Sequence, residues 1–181
     1  MSVALLVASL SSESAAQLQA YGQLAIAFAG FAGVIGAFSQ FRMHAKATAF
    51  RVRAMVVLAL GEAVFTLLPT LIANFGVAEE TVWRISAGAL AAVAAALVVV
   101  LARQASILYR VGHLMRNAAY ALCLGAVALI IPLGAAALGV GERYAAAWYF
   151  ALLFFGIITC AYHFTMLIIA VRLDASDRTQ D

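Results

Sequence analysis

Charged residues are scarce in this chain. Only 10% of its 181 residues are Asp, Glu, Lys or Arg, whereas 66% are apolar and the mean hydropathy is +1.04. Soluble domains contain about 25% charged residues and about half apolar residues. The scarcity of charge therefore excludes an ordinary soluble domain and predicts a single integral membrane domain over residues 1–181. Its first partner is the lipid bilayer, and no nucleic-acid partner is expected.

Cysteine and histidine are also rare, which limits the chemistry that the chain can support. Both cysteines, Cys123 and Cys160, fall in apolar runs, and only one of the three histidines, His163, lies in such a run. The spans therefore offer no pair of axial histidines for haem, and no Cys/His cluster has the spacing of a zinc site. We expect no cofactor, no metal and no catalytic residue.

The apolar runs are long enough to cross a bilayer, which takes about 20 helical residues each. They predict an all-α fold, a polytopic membrane helix bundle with about five transmembrane helices. The predicted spans are 21–41, 54–75, 86–102, 118–140 and 147–171. A short N-terminal segment, 1–20, precedes them, and a polar tail, 173–181, follows them.

Basic residues collect on one side of these spans. The first connection, the third connection and the C-terminal tail hold Arg42, Lys46, Arg51, Arg53, Arg103, Arg110, Arg116, Arg172 and Arg178. The opposite side holds only Arg84 and Arg143, accompanied by glutamates. By the positive-inside rule, we expect the N-terminus outside and the C-terminus in the cytoplasm, in a bacterial cytoplasmic membrane.

Two parts of the chain resemble each other. A shift of 63 residues aligns AVFTLLPTLIANFGVAE (63–79) with AVALIIPLGAAALGVGE (126–142), and matches Pro69 with Pro132 and Gly76 with Gly139. This pattern predicts a duplicated two-helix unit, spans 1–2 and spans 3–4, to which the fifth span is added. The two prolines are expected to kink their helices at matching positions.

Span 2 carries a line of polar residues that the second copy lacks. This polar ridge recurs every four residues and consists of Glu62, Thr66, Thr70 and Asn74. The shift of 63 residues replaces them with Gly125, Leu129, Leu133 and Ala137. We interpret the ridge as a candidate ion or proton pathway. The alternative is that Thr66, Thr70 and Asn74 only bond to carbonyls of their own helix or to a neighbour.

Glu62 and His163 are the ionisable residues deepest in the predicted spans. Each lies nine residues from an arginine at a predicted cytoplasmic end, Arg53 or Arg172, which places both about 13 to 14 Å deep. An isolated carboxylate is costly there, so Glu62 should be protonated or partnered. We therefore expect spans 2 and 5 to be neighbours with Glu62 facing His163. The alternatives are a purely structural contact, or a bond from His163 to Thr159 or a backbone carbonyl.

Two functions follow from these residues. The first is a small transporter or channel component that moves protons, cations or a small polar solute past Glu62. The second is a non-transporting membrane subunit, or an assembly protein, in which Glu62 contacts another chain. Because five helices are few to enclose a pore, transport favours a homo-oligomer, and the second function requires a membrane partner subunit.

Two short patterns are similar to those of the CaaX-protease and bacteriocin-processing family. EETVWR (79–84) fits EExxxR and HLMRN (113–117) fits HxxxN. The resemblance implies an intramembrane protease, the remote alternative among the functions. The predicted topology places Glu79 and Glu80 on the opposite side of the membrane from His113, so a hydrocarbon layer of about 30 Å would separate residues of one site.

Overall fold

A computed structural model describes residues 10–39, 46–108 and 113–177. The described residues form five long α-helices, a short 3-10 helix at Glu142–Tyr144 and no strand. The long helices are α1 (Ser12–Ser39), α2 (Lys46–Ala73), α3 (Glu79–Leu108), α4 (His113–Ala137) and α5 (Ala145–Asp177). Each contains a segment long and apolar enough to cross a membrane. The prediction of an all-α bundle with five membrane-spanning helices is confirmed.

The helices extend beyond the predicted spans. The first helix begins at Ser12, inside the predicted N-terminal segment, where the Ser14 amide donates to Ser11 Oγ at 3.2 Å and caps the helix. Helix α2 begins eight residues earlier than predicted, and α5 continues to Asp177. Hydropathy marks the apolar middle of a helix, whereas the hydrogen-bonded backbone continues through the polar residues on either side.

Helix α5 contacts each of the other four helices. Helices α2, α3, α4 and α5 form a ring in which each helix packs against the next, and α1 packs on the outside of this ring against α2 and α5. Within the described part of the chain, α2 does not contact α4, and α1 contacts neither α3 nor α4. The ring can therefore enclose a space between α2 and α4.

The turns that follow α2 and α4 share a backbone hydrogen bond and a glycine of positive φ. The Gly76 amide donates to the Ala73 carbonyl at 3.0 Å, and the Gly139 amide donates to the Ala136 carbonyl at 3.1 Å. Both glycines have positive φ, 72° and 92°, a conformation that favours glycine at a helix end. These two bonds are related by the same shift of 63 residues, which supports the predicted duplication.

Pro69 connects α2 to α5 through a hydrogen bond. Proline has no N–H, so Pro69 leaves the Phe65 carbonyl, four residues earlier, without its helical donor. The Tyr149 hydroxyl of α5 donates to this carbonyl at 2.5 Å. Trp83 of α3 packs edge-on against the Tyr149 ring, with centroids 5.7 Å apart. Helix α5 thus supplies a donor for the carbonyl that Pro69 leaves without its helical hydrogen bond.

Substituting Tyr149 tests this hydrogen bond. Tyr149→Phe should lower the free energy of unfolding in detergent by about 1 kcal/mol, because the Phe65 carbonyl loses its donor. In a Pro69→Ala background the loss should be smaller, because the new amide at position 69 can donate to Phe65. Tyr144→Phe, at a half-exposed tyrosine, is the control. An equal loss in both backgrounds would show that the hydroxyl does not compensate for the proline.

The end of the ring near these turns is filled with apolar side chains, which we name the apolar plug. Its buried members are Leu18, Trp83, Ala87, Leu90, Ala91, Leu133, Ala136, Ala145, Tyr149, Leu152 and Leu153. We name the opposite end, where α2 and α4 begin and α3 and α5 end, the basic end. The plug closes one end of the ring, so any internal space lies towards the basic end.

Candidate functional site

A cavity of about 130 Å³ lies inside the ring and is lined by α2, α3, α4 and α5. Six of its lining residues carry polar or ionisable groups: Arg51, Glu62, Cys123, Thr159, Tyr162 and His163. The remaining lining residues are apolar or glycine, and every lining residue of α3, between Leu90 and Leu101, is apolar. The cavity therefore has apolar walls and a few polar groups contributed by α2, α4 and α5.

Glu62 lies against α5 at Gly156. A Cβ atom added to Gly156 would lie 2.6 Å from Glu62 Cδ and 3.3 Å from Glu62 Cγ, so the carboxylate occupies the space that a larger residue would fill. The Glu62 Oε2 atom is buried and has no hydrogen-bond partner among the described residues. A buried polar atom without a partner is costly, so a proton or a ligand that reached this oxygen would stabilise it.

His163 lies nearer the basic end than Glu62 does. Cys160 Sγ is 4.0 Å from the Met55 carbonyl oxygen, which places this part of α5 beside the first half of α2. His163 follows Gly156 by seven residues, two helical turns or about 10 Å along α5. Its Nδ1 atom is also buried and without a hydrogen-bond partner in the described part of the structure.

Helices α2 and α5 pack against each other, as predicted, and Glu62 and His163 line the same cavity. The prediction of equal depth is wrong, because Glu62 lies beside Gly156. No hydrogen bond joins the two side chains among the residues that the structure describes. The two residues therefore mark two separate polar positions in one cavity.

The polar ridge does not follow the cavity beyond Glu62. Thr66 is buried, donates to the Ala63 carbonyl at 2.8 Å and faces α1, where a Cβ added to Gly22 would lie 2.9 Å from Thr66 Oγ1. Thr70 and Asn74 are exposed. A spacing of four residues advances each side chain by about 40° more than one full turn, so Asn74 points about 120° away from Glu62. Of the four ridge residues, only Glu62 is among the described residues that line the cavity, and a pathway along the other three stays a prediction.

Arg51 is a site residue that the sequence analysis placed in a loop. It lies on α2, because this helix begins at Lys46, and it is only 5% exposed. Arg51 precedes Glu62 by eleven residues, which is close to three helical turns, so both residues lie on the same face of α2. This spacing was the signal that could have predicted the placement of Arg51.

Two glycines leave room for large side chains at the site. The shift of 63 residues that relates the two copies places Gly125 of α4 at the position of Glu62. A Cβ added to Gly125 would lie 2.8 Å from the Phe155 ring of α5. Helix α5 therefore presents Gly156 to the glutamate of one copy and Phe155 to the glycine of the other.

The two protease-like patterns do not form one site. Trp83 Nε1 donates to Glu79 Oε1 at 3.3 Å, and Arg84 forms a salt bridge of 3.4 Å with Glu142. Helix α3 begins at Glu79 and ends at Leu108, before α4 begins at His113, so its whole length separates the two patterns. The described residues contain no group of three or more His, Cys, Asp or Glu placed to hold a metal ion.

A scan against protein-family models and searches of curated proteins and of solved structures find no match to this chain. The chemistry of the cavity is therefore the basis for a functional proposal.

Proposed function

We propose that this protein is a small transporter or channel component that moves protons, cations or a small polar solute through the cavity past Glu62. The observation that carries this proposal is the buried Glu62 Oε2 atom, which has no hydrogen-bond partner in the described residues and belongs to a side chain that lines the cavity. Ionisable groups inside a membrane are costly and mark substrate or ion pathways. A ligand that reaches this oxygen would offset the cost of burying it without a hydrogen bond.

The shape of the bundle supports access to the cavity from the basic end. The apolar plug closes the ring beyond Glu62, and the cavity extends towards the basic end, where Arg51 and His163 line it. A volume of about 130 Å³ is suited to one small solute rather than to a continuous water-filled pore. With the N-terminus outside, this arrangement is a transporter whose site faces the cytoplasm.

The alternative, a non-transporting subunit that uses Glu62 to contact another chain, requires the carboxylate on the outer surface of the bundle. Glu62 instead packs on Gly156 of its own chain and lines a cavity between the helices of this chain. This placement favours transport. The cavity is lined by four helices of one chain, so a homo-oligomer or a membrane partner subunit is not required to form it, although either can surround it.

Neutralising the carboxylate tests the proposal. Glu62→Gln should lower proton or monovalent-cation flux into proteoliposomes about tenfold or more, because the amide keeps the size of the side chain but cannot bind a cation or exchange a proton. Glu13→Gln removes an exposed carboxylate and Thr70→Val removes an exposed ridge hydroxyl. Both controls should retain wild-type flux. Unchanged flux in Glu62→Gln would exclude the carboxylate from the pathway.

Cysteine labelling tests the proposed orientation. In a variant without Cys123 and Cys160, single cysteines at Lys46, where α2 begins, and at Glu80, in the first turn of α3, should react with an impermeant thiol reagent from opposite sides of the membrane. The cysteine at position 80 should react in intact cells and the one at position 46 only in inverted vesicles. Labelling of both positions from one side would contradict the topology.

A further inference from the structure

We propose that the cavity binds a small linear organic amine, with its ammonium group at Glu62, a short alkyl chain along the apolar walls and an uncharged hydrogen-bonding group at His163. This inference rests on the proposed function and names the substrate class of the same site. It follows from three features of the cavity: one carboxylate at the inner position, apolar walls, and a second polar group two helical turns away.

The inner position suits an ammonium group better than an inorganic cation. Inorganic cations such as Ca²⁺ require about six or more oxygen ligands, and among the described lining residues Glu62 is the only carboxylate. An ammonium group carries its own donors. One that reached Glu62 Oε2, which has no partner in the described part of the chain, would give it a charge-assisted hydrogen bond.

The walls between the two polar positions suit an alkyl chain. Leu58 of α2 and Val93, Ala94 and Leu97 of α3 line the cavity, and none of them offers a side-chain hydrogen bond. A sugar or a hydrated ion would lose hydrogen bonds to water along these walls without replacement. An alkyl chain instead gains free energy from burial there, as apolar groups do in most small-molecule sites.

The outer position suits a neutral polar group. His163 Nδ1 is buried and has no hydrogen-bond partner among the described residues, so a ligand hydroxyl that reached it would satisfy it. Apart from Glu62, the described residues that line the cavity include no carboxylate, so a second ammonium would have no anionic partner at this position. We therefore expect an amine with one charged end rather than a diamine.

The size of the cavity limits the length of the ligand. Its volume of about 130 Å³ is close to that of an engineered cavity of about 150 Å³ that binds benzene, so about six to eight non-hydrogen atoms fit. The two polar positions are separated by about 10 Å along α5. A straight chain of about five carbons, with an amine at one end and a hydroxyl at the other, matches both dimensions.

Binding to the purified full-length chain in lipid nanodiscs tests the inference. The probes are linear aminopentanol, pentylamine, pentanol, pentanediamine and potassium chloride, with dissociation constants measured by calorimetry at neutral pH. Aminopentanol should bind best, pentylamine next, and pentanol at least about tenfold more weakly than aminopentanol. Pentanediamine should bind more weakly than pentylamine, and potassium should not compete with aminopentanol.

Substitutions of Glu62 and His163 test which end of the ligand each residue binds. Glu62→Gln should weaken aminopentanol binding about tenfold or more and leave pentanol unchanged, whereas Glu62→Asp, which keeps the charge, should retain the preference for amines. His163→Phe should remove the advantage of aminopentanol over pentylamine. Thermal unfolding of each variant establishes that it is folded. Equal binding of aminopentanol and pentanol to the wild type, or no effect of Glu62→Gln, would overturn the inference.

Parallel flux measurements separate this inference from the proposed function. If flux depends on Glu62 but the amines neither bind nor compete, the substrate class is wrong and transport stands. If the amines bind in a Glu62-dependent manner and no solute crosses the membrane, the binding site stands and transport is wrong.

Discussion

Replacing Gly156 with alanine should abolish Glu62-dependent transport while the protein remains folded. The added Cβ would lie 2.6 Å from Glu62 Cδ, closer than two carbon atoms approach without displacement. The displaced atoms belong to the end of a flexible side chain, and the neighbouring cavity provides room for them. We therefore expect the carboxylate to rotate away from α5, with a fall of about tenfold or more in flux.

A matched control exists for this substitution on α4. Gly134 is also helical, and a Cβ added there meets no atom within 4 Å. Gly134→Ala should keep wild-type flux and gain a little stability, because alanine favours a helix by about 1 kcal/mol over glycine. Thermal unfolding and flux should be measured on the same preparations. Full flux in Gly156→Ala would mean that Glu62 does not act from its position against α5.

A larger side chain on α3 that fills the cavity should also strongly lower flux and amine binding. Ala94 lines the cavity opposite the polar residues of α5. Ala94→Leu should lower both flux and amine binding about tenfold or more, because the leucine occupies space that the ligand requires. Filling an existing cavity commonly stabilises a protein by about 0.5 to 2 kcal/mol, so thermal stability should be retained or raised. Loss of activity without loss of stability identifies an occupied site.

The adjacent residue provides the control. Ala95 is exposed on the outside of the same helix, so Ala95→Leu adds the same atoms towards the lipid. Its flux, amine binding and unfolding temperature should match those of the wild type. If Ala94→Leu also leaves flux and amine binding unchanged, the space beside Ala94 is not used by the transported solute.

The polar ridge shows how far a spacing pattern predicts a shared face. Glu62, Thr66, Thr70 and Asn74 share a spacing that is close to the helical repeat but does not equal it, and the drift of about 40° at each step turns the later residues away from the face of Glu62. The depth of His163 relative to Glu62 depends on a different property. Counting residues along two helices does not show how far one helix is shifted along its axis against the other, and here the contact of Glu62 with Gly156 sets that shift.

The sequence by itself determined the five membrane-spanning helices, the matching proline and glycine positions of the two copies, and the presence of an ionisable residue, Glu62, within a span. These features depend on the cost of placing polar groups in hydrocarbon and on local backbone chemistry, which act along a short stretch of chain. Only the tertiary structure decided that Glu62 meets Gly156, that Arg51 is buried and that four helices line one cavity. Those contacts depend on where each helix ends and how it is rotated against its neighbours, because small side chains such as Gly156 allow the close packing that brings distant residues together.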